Sequence, residues 1–180
     1  MPSTKPDPLL VQLGSHRWLA PLLADLAAHR GARFVELIHR LGLSRDSCVR
    51  TLETAAAIGW VARNPGHGHP LRPEYILTEA GTAAAARAAT IAEAQNALGL
   101  SPGAATRWGL PLVAGIGAGH DRFNALSRLL APATPRALSQ GLTALGKHGL
   151  ITREVLDARP PASRYDLTGN GALLAAACSG

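Results

Sequence analysis

The apolar positions of this chain fall into short helical runs, broken by glycine and proline and by brief strand-like segments. The sharpest run is TPRALSQGLTALGK, residues 134–147. Leu138, Leu142 and Leu145 follow one another at spacings of four and three, so they share one helix face. Arg136, Ser139, Gln140, Thr143 and Lys147 share the opposite face. Thr134 is placed to cap this helix, and Pro135 fits its first position, where the missing N–H costs nothing.

The rest of the chain reads in the same way. Residues 1–8 hold three prolines and read as a loose arm. A helical pattern begins near Leu9 and breaks at Gly14. Trp18 opens a second apolar helix, WLAPLLADLAAH, which Gly31 ends. FVELIHRL (34–41) is a short amphipathic helix, and Ser44 caps another that runs to about Ala57. GWVAR (59–63) and Tyr75–Leu77 read as two strands of a hairpin with a turn-rich tip, NPGHGHPLRP, between them. Thr78 caps a long Ala-rich helix ending near Leu98.

The second half repeats this order. Arg107-Trp108 restates Arg17-Trp18, and Pro111 restates Pro21, both 90 residues on. Gly149, Arg153, Tyr165, Leu167, Thr168 and Gly171 stand 90 residues beyond Gly59, Arg63, Tyr75, Leu77, Thr78 and Gly81. Arg122-Phe123 follows Arg33-Phe34 at 89. So many anchors at one offset imply an internal duplication. The expected division is an arm (1–8), a first domain (9–99) and a second domain (100–180), with the loop-like LSPG near residue 100 between the two domains. The expected fold class is mainly α with small β wings (α+β), as two tandem winged helix-turn-helix domains, since in each copy two helices joined by a few residues precede the hairpin.

Composition sharpens this picture. Apolar residues make up 47% of 180, enough for packed cores, while aromatics are only 4%, so the cores rest on Leu, Ala, Val and Ile. The formal charge of +6 is carried almost wholly by arginine, and Lys5 and Lys147 are the only lysines. A basic balance favours an anionic partner, above all nucleic acid. No apolar run reaches the ~18 residues of a membrane span. MPSTKPDPLL lacks a signal-peptide pattern, so a cytoplasmic location is expected.

Cys48 lies on an apolar seam and reads as buried and inert; Cys178 reads as lying near a frayed end. His67 and His69 sit in a Pro/Gly turn with no third ligand nearby, so no metal and no cofactor are expected. AGIGAGH (114–120) reads as a lax helix end. No catalytic signature or acid–base pair is present, so the chain is not expected to be an enzyme; a recruited enzyme is the least favoured reading.

Taken together, these segments resemble the HxlR-type winged helix-turn-helix family of bacterial transcription regulators. The second copy carries the closer resemblance, in RWGLPLVAGI, RFNALSRLL, TPRALSQGLTALGKHGLITR and RYDLTGNG. The first copy keeps RW at 17–18, RFVEL at 33–37, GWVAR at 59–63 and YILTEAG at 75–81. The resemblance implies a ligand-responsive, DNA-binding transcriptional regulator with double-stranded DNA as its partner, as a monomeric pseudo-dimer or a homodimer.

On that reading Arg136, Ser139, Gln140 and Thr143 face base edges, since Arg suits guanine, Gln adenine, and hydroxyls either. Lys147, Arg153, Arg159 and Arg164 meet phosphates. The first copy adds Ser44, Arg45, Arg50, Arg63 and Arg72. Its outward helix face has diverged, however, to Asp46, Val49, Arg50, Glu53 and Ala57. Two acids there motivate the alternative reading: a protein that binds or sequesters an apolar aromatic small molecule without DNA. Trp18, Trp60 and Trp108 are the candidate ligand contacts.

Overall fold

Capping residues and apolar seams divide the chain into α1 (Pro8–Leu13), α2 (Leu19–His29), α3 (Phe34–Leu41), α4 (Arg45–Ile58), β1 (Val61–Arg63), β2 (Tyr75–Leu77), α5 (Glu79–Ala97), α6 (Gly109–Gly117), α7 (Phe123–Leu129), α8 (Pro135–Lys147), β3 (Ile151–Leu156), β4 (Ala162–Leu167) and α9 (Gly169–Ser179). The computed structural model describes residues 6–65, 73–102, 104, 107–156 and 162–179. Two units emerge. The first is Trp18–Glu93; the second combines Met1–Arg17 with Ala94–Gly180.

In the first unit, α2 buries Leu19, Leu22, Leu23 and Leu26 against α3 and α4. Leu37 from α3 and Cys48, Leu52 and Ala55 from α4 complete that core. Asp25 of α2, almost buried, accepts two hydrogen bonds from Arg40 of α3, at 2.8 and 2.7 Å. This bidentate pair fixes the angle between the two helices and holds the guanidinium above its usual pKa, chiefly through that hydrogen bond. α2 ends on Arg30, in the left-handed conformation (φ 56°), with Gly31 next at φ 113°. Gly31 is required by that φ and by space: a Cβ there would stand 2.8 Å from the Tyr75 carbonyl oxygen and 2.9 Å from the Pro73 side chain.

In the second unit, α6 is apolar on nearly every side and buries Leu110, Leu112, Val113 and Ile116. It packs against α7, α8, α9 and β4. α1 also packs on α6, burying Leu10 and Leu13. Gly14 allows this approach, since a Cβ there would lie 2.2 Å from the Arg107 carbonyl oxygen. AGIGAGH falls at the end of α6, where Gly119 has φ 92°. Cys178 departs from the expectation of a frayed end: α9 runs to Ser179 and buries the thiol among its apolar neighbours.

Each unit carries one antiparallel hairpin. β1 and β2 pair Val61 with Leu77 and Arg63 with Tyr75; β3 and β4 pair Ile151 with Leu167 and Arg153 with Tyr165. Helices followed by a two-stranded wing make an α+β winged helix fold. Among the described residues no helix is long and apolar enough to cross a membrane.

Candidate nucleic-acid interface

The candidate surface is built on α8. Thr134 caps it, its hydroxyl oxygen accepting from the Ala137 N–H at 3.2 Å, and Pro135 occupies the first turn. Leu138, Leu142 and Leu145 anchor the helix in the core. That anchoring turns Arg136, Ser139, Gln140, Thr143 and Lys147 to solvent, on one shared face together with Ala144. The Thr143 hydroxyl donates to the Ser139 carbonyl at 2.8 Å, so outward it offers an acceptor and a methyl group.

Beside this face, α7, α8 and the β3–β4 wing enclose an open cleft of about 860 Å³. Its lining includes Arg122, Arg128 and Arg153 and no acidic residue among the described residues. Phe123, Leu142, Ile151 and Tyr165 supply the apolar floor. Arg153 donates from Nε and Nη2 to the Ser163 hydroxyl, at 3.0 and 2.9 Å. That acceptor is neutral, and among the described residues no carboxylate pairs with this guanidinium. Arg164 is different: its Nε lies 3.3 Å from Asp121 and 3.5 Å from Asp166, so part of its charge is screened.

Sequence reasoning gave Arg122 and Arg128 no role. Arg122 precedes α7 and Arg128 sits in its last turn, while Leu126 and Leu129 are buried. The amphipathic pattern of FNALSRL was the available signal; what it lacked was the wing, which only the fold places opposite.

The first unit offers a different surface. Ser44 caps α4, and its hydroxyl oxygen accepts from the Ser47 N–H at 3.2 Å. Arg45 lies over the Phe34 ring, 5.3 Å from its centroid. Arg50 is exposed, but Asp46 and Glu53 share its side of the helix. Arg63 donates to Glu74 at 2.8 Å and lies over Tyr75. Arg72 and Arg159, like His67 and His69, lie outside the described residues. Trp60 and Trp108 are buried and Trp18 is half-buried; none lines either surface described above on the second unit.

The fold and this cationic face define a winged helix-turn-helix domain. Residues 104–179, less than half of the chain, match the family model described as HxlR-like helix-turn-helix. Residues 18–93 lie outside the match. No curated protein and no solved structure matches the chain.

Proposed function

We propose that the protein is a DNA-binding transcriptional regulator whose second unit supplies the main grip. The carrying observation is the cleft with three arginines and, among the described residues, no acid, continuous with the exposed face of α8. Cations on both sides of a groove hold phosphates; polar side chains on the helix between them reach base edges. In this reading Arg136, Ser139, Gln140 and Thr143 face the bases. Lys147, Arg153, Arg159, Arg122 and Arg128 hold the backbone, with Arg164 a lesser contributor because Asp121 and Asp166 screen it. Ser44, Arg45, Arg50 and Arg72 form the corresponding set of the diverged first unit, where Arg63 is already paired with Glu74.

Matched local geometry supports reading the two units as copies. Trp18 and Trp108 precede α2 and α6 with nearly the same backbone, φ −99° in both. Ser44 and Thr134 cap α4 and α8 alike. Two such units in one chain would act as a covalent pseudo-dimer. The second reading is a small-molecule-binding protein that no longer uses DNA, with Trp18, Trp60 and Trp108 as candidate ligand contacts; the exposed Asp46 and Glu53 on the outward face of α4 favour it.

The test is selection of duplexes from a random pool, followed by anisotropy titration with Arg136→Ala. Loss of about 1–3 kcal/mol, with relaxed preference at one base position, is expected. Unchanged affinity and preference would remove Arg136 from the interface; enrichment of no duplex by the native chain would overturn the regulator reading.

A further inference from the structure

At the wing position where the second unit carries Arg164, the first unit carries Glu74, 90 residues earlier. Its carboxylate bridges two elements. One oxygen accepts from Arg63 Nη2 at 2.8 Å on the wing; the other accepts from the Phe34 N–H at 3.3 Å, where α3 begins. Glu74 is 23% exposed, against 63% for Arg63, so the acid occupies the inner side of the pair. In the second unit the equivalent wing arginine, Arg153, donates among the described residues to the hydroxyl of Ser163 and to no carboxylate.

An anion already sits, therefore, beside the cation that a phosphate would seek. The replacement of Thr143 by Glu53, and of Ser139 by the exposed Val49, acts in the same direction. A phosphate approaching Arg63 must either displace Glu74 or be repelled by it.

We propose that Glu74 makes the DNA grip one-sided: it neutralises Arg63 and keeps backbone phosphate from the junction of the first wing with the start of α3. Arg63 then makes no phosphate contact, and the grip from the wing strands comes from Arg153 of the second unit. This rests on the regulator reading and names what sets the asymmetry of that site.

The experiment is a salt titration of the full chain on its selected duplex. Arg153→Ala lowers affinity about three- to tenfold and reduces the slope of log K against log[salt] by about 1. Arg63→Ala leaves both within twofold of the native values. Glu74→Gln, which keeps an acceptor for the Phe34 N–H, frees Arg63 and steepens the slope by about 1. Because Arg63 is exposed, its variant is expected to fold, and a thermal melt checks this. Weakening by Arg63→Ala comparable to Arg153→Ala overturns the proposal, as does an unchanged slope in Glu74→Gln. Absence of salt-dependent binding by the native chain is a separate result that overturns the regulator reading itself.

Discussion

Single residues in this protein carry either core or charge, seldom both, and Cys48 shows the first case. It is fully buried on the inner face of α4. Burial, aided by the charge of Glu74, pushes its thiol up to about 11. A buried neutral thiol is a poor nucleophile, so Cys48 should resist thiol reagents at pH 8 in the native state and react once urea unfolds the chain. The same shift sets a sign for stability. In the unfolded chain the thiol ionises near its ordinary value of 9.0, so there the unfolded state loses its proton first. The contribution is therefore complete below about 9 and is lost as pH climbs through about 11. Urea midpoints at pH 8 and pH 10.5 should fall further for the native chain than for Cys48→Ala; an equal fall in both would show that the thiol does not carry this dependence. Cys48 was legible in the sequence because its place is set by neighbours three and four residues away. Glu74 was not, since its two partners stand 11 and 40 residues away and meet it only once the wing closes.

Elements are held by short-range devices that recur in both units. Thr78 and Thr168 each donate to a glycine carbonyl, Gly59 and Gly149, at 2.6 and 2.7 Å. Each also accepts from the N–H three residues on, at 3.0 and 3.1 Å. These clasps tie the end of α4 or α8 to the start of α5 or α9. The close approach needs Gly81 and Gly171: a Cβ on either would lie 1.9 Å from a carbonyl oxygen, that of Trp60 or Leu150. Backbone cannot yield as a side-chain tip can, so Gly171→Ala should cost about 1–3 kcal/mol or more in urea unfolding. Gly146, in α8 with nothing within 4 Å of its would-be Cβ, should respond oppositely, with Gly146→Ala gaining about 0.5–1 kcal/mol from helix propensity. Equal effects from the two substitutions would refute the packing argument. Helix seams, caps and both hairpins could be read from spacing and turn chemistry, because those are local. The cleft could not, because Arg122 and Arg128 on one side and Arg153 on the other belong to different elements.

At the scale of the whole chain, sequence order and packing order diverge at α1. It comes first, yet its buried Leu10 and Leu13 belong with α6, about 100 residues later, and Gly14 lets its end lie against the Arg107 backbone. Each unit has its own leucine-rich core, so destabilising one should lower protection inside it before the other is touched. Leu145→Ala removes a fully buried side chain from the second unit at a cost of about 2–5 kcal/mol. In native-state hydrogen exchange, α6, α8, α9 and the β3–β4 hairpin should lose protection together, and α1 should lose it with them. Amides of α2, α3 and α4 should keep their rates. The reciprocal substitution, Leu23→Ala, should expose α2–α4 and leave α1 unchanged. If α1 followed the first unit, its contact with α6 would be energetically idle. If every amide moved together in both variants, the two cores would unfold as one cooperative body, and a one-sided grip on DNA would have to arise from surface charge alone.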